Sequence, residues 1–213
     1  MNIRRSFKIH LSLALLSSCF LCFGDAFLKV PLCRQGTDYT CGVAAMQCIL
    51  AYYEEDPPRQ DVIARIAKSG AAKGTSYKNL EKLAQDRGYE VMTYKNEGKD
   101  IAINRLKGFL EDGKPVIVLI QAWDPTVTAP SQYENRTEDG HYVVAIGYDS
   151  ENMYFMDPST LGNYTYIPTQ EFTDYRWHEN DKVRKTEDKL LHFMMVMTKG
   201  QAVFNPREIR DLK

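Results

Sequence analysis

Two rhythms of apolar residues alternate along the chain. A helical spacing runs from Cys41 through Val43, Met46, Ile49, Leu50 and Tyr53. Thr40 stands where a helix N-cap belongs, so the pattern predicts a helix opening at Cys41. The same spacing recurs in residues 61–68, ended by Gly70, and in residues 101–110, stopped by Gly113. It also marks residues 76–87, where Ser76 is the cap, Leu80, Leu83 and Ala84 form the stripe, and Gly88 closes the helix. A two-residue alternation predicts strands at 89–94, 142–148, 153–156 and 164–167, with a short extended run at 30–32 and a further helix at 170–175. Residues 115–121 (PVIVLIQ) form an unbroken run rich in branched side chains, the mark of a strand buried on both faces, and residues 190–197 read as a last central strand. With helices first and paired strands after, the expected fold class is α+β: an N-terminal helical half packed on an antiparallel β-sheet half, with a cleft between them.

Against that frame the reactive residues fall at element boundaries. Cys41 opens its helix, where the positive end of the helix dipole favours a thiolate. Gly42 leaves room beside the sulfur, and Gln35, six residues before Cys41, can aim an amide at an oxyanion formed there. His141 precedes the strand 142–148, and Asp157 ends the strand that returns from the turn 149–152. Antiparallel strands joined in this way bring their far ends together, which makes His141 and Asp157 neighbours. A nucleophilic cysteine needs a base, and the base an orienting group; Cys41, His141 and Asp157 fill those places. Element ends facing a cleft imply that none of the four residues is needed for the packed core.

Gln35-x5-Cys41-Gly42, with Asp38-Tyr39-Thr40 before the cysteine, is followed by Gly140-His141-Tyr142-Val143-Val144 and Asp157-Pro158. In combination these motifs resemble the bacteriocin-processing, double-glycine peptidase family of papain-like cysteine peptidases, from about Val30 to the strand around Met195. The resemblance implies a papain-like fold with Cys41 as nucleophile, His141 as general base and acid, Asp157 as its orienter and Gln35 in the oxyanion hole. It implies no cofactor, and a peptide or protein as substrate. Several members of that family are N-terminal domains of ATP-binding exporters, whereas this chain carries neither transporter helices nor a G-x-x-x-x-G-K-[ST] loop. Three readings follow: a secreted peptidase, an acyltransferase or deamidase using the same thiolate, and a non-catalytic peptide-binding module. The intact set of four residues argues against the third.

Composition narrows the picture further. The 213 residues are 44% hydrophobic and 26% charged, enough apolar chain for one core, and the net charge of −1 argues against a nucleic-acid partner. Arg4, Arg5 and Lys8 precede an apolar run at 9–23, and Gly24-Asp25-Ala26 follows. That is the pattern of a secretory signal peptide cut after Ala26, giving a peptidase domain at 27–200 and a tail at 201–213. An uncleaved anchor, or a lipoprotein modified at Cys19, is the alternative; membrane attachment is expected only in those forms. Removal of Cys19 and Cys22 leaves Cys33, Cys41 and Cys48 of the five cysteines. Either Cys33 pairs with Cys48, or Cys48 is a buried thiol and Cys33 an exposed one. His178 is expected at the surface and His192 inside an apolar strand as a structural residue. No C-x-x-C or H-E-x-x-H occurs, so no metal is expected. Asn135-Arg136-Thr137 and Asn163-Tyr164-Thr165 are sequons. The loop 122–139, with Trp123, Pro125, Pro130 and Tyr133, is long enough to be either a substrate wall or a tolerated insertion.

Overall fold

The computed structural model describes residues 25–54, 56–136, 139–160, 162–179 and 190–207. The signal-like segment 1–24 lies outside them. Among the described residues, four α-helices of about two turns or more flank the main antiparallel sheet: α1 (Cys41–Tyr53), α2 (Gln60–Ile66), α3 (Tyr77–Asp86) and α4 (Lys99–Glu111). The strands are β1 (Ala26–Phe27), β2 (Glu90–Tyr94), β3 (Val116–Gln121), β4 (Gly140–Tyr148), β5 (Asn152–Asp157), β6 (Asn163–Pro168), β7 (His178–Glu179), β8 (Leu190–Leu191) and β9 (Met194–Thr198). The main sheet runs β2-β9-β3-β4-β5-β6, with β1 added against β4; β7 and β8 form a separate pair.

The sheet is buried on both faces, and strand alternation decides which side chain goes where. Ile117 and Leu119 of β3, Tyr142, Val144 and Ile146 of β4, and Met195 and Met197 of β9 pack with α1, α2 and α3. Val116, Val118 and Ile120 of β3, Val143 and Ala145 of β4, and Met194 and Val196 of β9 pack with α4 on the other side. All six residues of β3 are buried, as its apolar run predicts. Fully burying such a side chain is worth roughly 1.5–3 kcal/mol, and the central strands therefore anchor the ends that carry His141 and Asp157. The two-half expectation needs one amendment. The sheet is sandwiched, with α4 and the Phe172–Trp177 stack closing its second face.

Other departures have local causes. The strand expected at 190–197 is interrupted, because His192 adopts a left-handed backbone (φ 51°) and its Nδ1 meets the carbonyl of Glu97 at 2.8 Å. The helix expected at 170–175 is a single turn, Thr169–Glu171, running into a π-helical turn, Phe172–Arg176. Residues 30–32 form no strand; the N-terminal pairing occurs earlier, Ala26 opposite Tyr148 and Phe27 opposite Gly147. A β-bulge in β4 between Ala145 and Gly147 accommodates that crossing. A Cβ on Gly147 would stand 2.2 Å from the carbonyl oxygen of Ala26, so only glycine fits. The loop 122–139 is largely ordered and contains a 3₁₀ helix, Pro130–Asn135.

Candidate active site

Cys41 sits at the first position of α1, and α1 lies across β4, so the sulfur meets the ring of His141 near the start of that strand. Thr40 occupies the N-cap position, but its side chain does not cap the helix. Its Oγ1 accepts the N–H of Thr37 at 3.0 Å and bonds the Thr37 carbonyl at 3.1 Å, tightening the turn before the helix. Because the first N–H groups of a helix have no intrahelical partner, this diversion leaves them to the sulfur, and the N–H of Gly42 does bond it. The N–H of Tyr142 does the same from β4. Gly42 has a further reason besides the one its sequence position suggests. A Cβ there would stand 3.0 Å from both Thr75 Cβ and Tyr142 Cδ2, so glycine lets α1 approach the sheet.

His141 is the second residue of β4, paired with Ile120. Its Nε2 lies 2.9 Å from Asp157 Oδ1, leaving Nδ1 for the thiol. Asp157 is the last residue of β5, as the strand pairing requires. Its Oδ1 also accepts the N–H of Ser159 at 2.8 Å, and its Oδ2 accepts the hydroxyl of Thr160 at 2.6 Å. Every lone-pair direction that matters is thus fixed. The three residues are 9%, 2% and 5% exposed, which corrects the expectation that they stand clear of the core. They sit at element ends, yet helix and sheet close over them.

Burial alone would keep all three groups neutral, and the hydrogen bonds between them reverse that. Desolvation pushes the Cys41 thiol up, but the bond and charge of His141 and the N–H groups of Tyr142 and Gly42 hold it below its ordinary 9.0. Desolvation pushes His141 down, while the bonds to Asp157 and Cys41 hold it above 6.5. Asp157 is likewise held below 3.8 despite burial, chiefly by its bond to His141. The Cys41 and His141 shifts both run towards a thiolate beside an imidazolium, oriented by a carboxylate, which is the direction in which a cysteine nucleophile is activated.

Gln35 is tied to the same corner by its backbone, its N–H donating to the Pro158 carbonyl at 2.9 Å. Its side chain is less committed than the sequence spacing suggests. One Nε2–H donates to Thr37 O at 2.9 Å, and Oε1 is buried without a partner among the described residues. The second N–H of the amide has no partner among the described residues. A cavity of about 680 Å³ opens beside the segment joining Gln35 to Cys41, lined by Gly36, Thr37, Tyr39, Thr40, Gln47 and Arg65 among others.

Sequence reasoning named Trp123 only as part of the loop 122–139, and its contact with His141 was not foreseen. Its ring lies 4.2 Å, centroid to centroid, from the imidazole of His141. The length of the loop before His141 was the one signal available. The remaining candidates resolve as structural. His178 is buried, its Nε2 donating to the carbonyls of Tyr133 (3.0 Å) and Tyr175 (3.1 Å), so its surface placement is corrected. Cys33 and Cys48 are both buried free thiols: Cys48 is the buried thiol of the second reading, whereas Cys33 is neither paired nor exposed; burial raises Cys33 to about 11 and Cys48 well above 9.0. Among the described residues no group of three or more His, Cys, Asp or Glu side chains could hold a metal, and no helix is long and apolar enough to cross a membrane.

Comparison with known proteins places this geometry. Of solved structures, a C39-like peptidase from Bacillus anthracis superposes with a TM-score of 0.57 at 18% identity, over 84% of this chain and 99% of its own. A double glycine motif protease from an AMS/PCAT transporter, solved in complex with the leader peptide, gives 0.54 at 21% identity, over 81% and 93%. The peptidase domain of Streptococcus ComA, a bi-functional ABC transporter involved in a quorum sensing pathway, gives 0.54 at 14%, over 81% and 96%. These likenesses establish a shared fold. No curated protein matches. The model of the Peptidase_C39-like family matches residues 27–184, a span that holds Gln35, Cys41, His141 and Asp157, and the chain belongs to that family.

Proposed function

We propose that the protein is a cysteine peptidase that hydrolyses peptide bonds through Cys41, His141 and Asp157. One observation carries the reading: a single buried imidazole bonds a carboxylate at one nitrogen and the cysteine thiol at the other. The Cys41 thiolate attacks the scissile carbonyl carbon, and the oxygen takes the displaced electron pair. The Cys41 backbone N–H and the second Nε2–H of Gln35 stabilise that oxyanion. His141 gives its Nδ1 proton to the leaving amine, so the C–N bond breaks and an acyl-enzyme remains. The now neutral imidazole takes a proton from water as it attacks the thioester, and the thiolate leaves. Asp157 keeps the ring oriented and favours the imidazolium throughout. A peptide substrate agrees with the leader peptide held by one structural relative.

The test is mass spectrometry of a random peptide library incubated with the protein beside a Cys41→Ala control. New termini are expected only with the unaltered protein. New amide or ester products in place of free acids would instead select acyl transfer. We also propose export, on the charge of Arg4, Arg5 and Lys8 and the apolar run at 9–23. N-terminal sequencing from the native host should read from Phe27; an intact Met1 on cytoplasmic protein refutes export, and a lipidated Cys19 selects the lipoprotein form.

A further inference from the structure

Trp123 combines three features that a surface tryptophan has no local reason to show. It is 49% exposed, its backbone is left-handed at φ 41°, and its ring rests on His141. The left-handed region is unfavourable for a bulky residue, and such strain persists only where the surroundings impose it. Here they do. Asp124, the next residue, pairs with Arg136 at 2.6 Å. The same carboxylate accepts the N–H of Thr126 at 2.7 Å and its hydroxyl at 2.5 Å, while Arg136 also donates to Thr126 Oγ1 at 2.8 Å. Before Trp123, the N–H of Ala122 donates to the Asp139 carbonyl at 3.0 Å, fixing the other end to the approach to β4. The Pro130–Asn135 helix is held in turn by Gln132, which accepts the N–H groups of Thr128 and Ala129.

We infer that residues 122–136 form a braced arm whose purpose is to press Trp123 against His141. Trp123 is a positioning residue, and the Asp124–Arg136 pair is its brace. The argument rests on the peptidase reading for its effect on turnover, though not for its geometry. Asp157 and Cys41 fix the imidazole at its two nitrogens, but a ring held only at its edge can still tilt. The indole packs against the imidazole with the two planes inclined at 57°; that contact restricts the tilt and keeps water from the Nε2–H bond to Asp157. The exposed side of the same indole faces solvent and is free to meet substrate.

The experiment compares Trp123→Ala, Trp123→Phe, Arg136→Gln and the Trp123→Ala/Arg136→Gln double variant. Thermal melts first establish that each is folded. Misplacement of a reacting group by about 1 Å can cost on the order of 10²-fold in rate. Trp123→Ala should therefore lower kcat by roughly 10- to 100-fold with a smaller change in KM, and Trp123→Phe should recover most of the loss. Arg136→Gln should give a lesser fall. The double variant should be no worse than Trp123→Ala alone, because the brace acts through the tryptophan. A substrate-free readout accompanies these: solvent exchange of the His141 Nε2 proton, followed by NMR, should quicken in Trp123→Ala and stay slow in Trp123→Phe. Unchanged kcat with unchanged exchange overturns the role of Trp123, and multiplying losses in the double variant overturn the brace. If Cys41→Ala cleaves peptides as well as the unaltered protein, the peptidase reading fails, while the exchange measurement still decides whether the arm covers His141.

Discussion

His141 and His178 are both nearly sealed from solvent, at 2% and 6% exposure, and both donate an Nε2–H to oxygen. Their surroundings drive them in opposite directions. His141 faces a carboxylate and a thiol, and the hydrogen bonds to those groups outweigh its desolvation, so it is held above 6.5. His178 faces the carbonyls of Tyr133 and Tyr175; desolvation dominates these neutral dipoles, and it is held below 6.5. Burial is common to both, so burial does not make the reactive histidine. A charged acceptor on one side and a group that can itself ionise on the other do. His178 Nδ1, with no partner among the described residues, is a structural remainder rather than a second base.

The comparison can be broken most decisively at the reactive pair. Cys41→Ala and His141→Ala should each reduce peptide hydrolysis by several orders of magnitude, with losses that do not multiply, because the two act as one unit. His178→Gln should leave kcat/KM within a small factor. A His178→Gln variant as inactive as His141→Ala would erase the distinction.

Removing the charge from one side of His141 sharpens the same point. Asp157→Asn keeps the shape: its NH₂ can donate to the Thr160 hydroxyl, and its amide oxygen still meets His141 and Ser159, but the negative charge is gone. Activity should fall substantially, yet by less than for Cys41→Ala, and the alkaline limb of the rate profile should move to lower pH as the imidazolium loses support. Gln35→Ala leaves the pair intact and removes one oxyanion donor, a change that typically costs roughly 10²–10³ in rate. For this variant, iodoacetamide should alkylate Cys41 at the unaltered rate, and a slowed alkylation would mean that Gln35 acts on the thiolate instead.

The smallest effect carries opposite signs at the two histidines. His141 binds its proton more tightly folded than unfolded, so its contribution to stability is complete below 6.5 and is lost as pH rises through its folded value. His178 binds its proton less tightly when folded. Stability is therefore lost as pH falls from 6.5 towards its folded value. In thermal melts across pH 5 to 8, His178→Gln should remove a slope that rises with pH, and His141→Gln one that falls. Slopes of the same sign for both would contradict the contrast drawn here.

These two histidines also show what the sequence could and could not reveal. His141 was legible because its partners lie on adjoining pieces of a hairpin whose alternation sets their register, and because Cys41 opens a patterned helix. His178 was not, because its burial comes from Tyr133 and Tyr175, on a 3₁₀ helix and a π-helical turn that no simple periodicity announces. The same limit hid the break at His192, where a left-handed backbone interrupts an apolar run. The packing role of Gly42 was hidden as well, since the contact with Thr75 and Tyr142 joins segments far apart in the chain. Trp123 was visible as a residue, and its position over His141 was not, because that depends on an ion pair closed across the loop.

The short pairing of β1 with β4 sets an order of events. The proposed export cut falls between Ala26 and Phe27, and in the folded protein both are held against Tyr148 and Gly147, with the N–H of Leu28 on the Ile146 carbonyl at 2.7 Å. A processing enzyme needs that bond in an extended, unpaired chain. Cleavage must then come before β1 docks, or wait for it to fray. If the chain is cut there, maturation is a race between a cut and a closing sheet, and the glycine at 147, by letting β1 settle so near, sets the deadline.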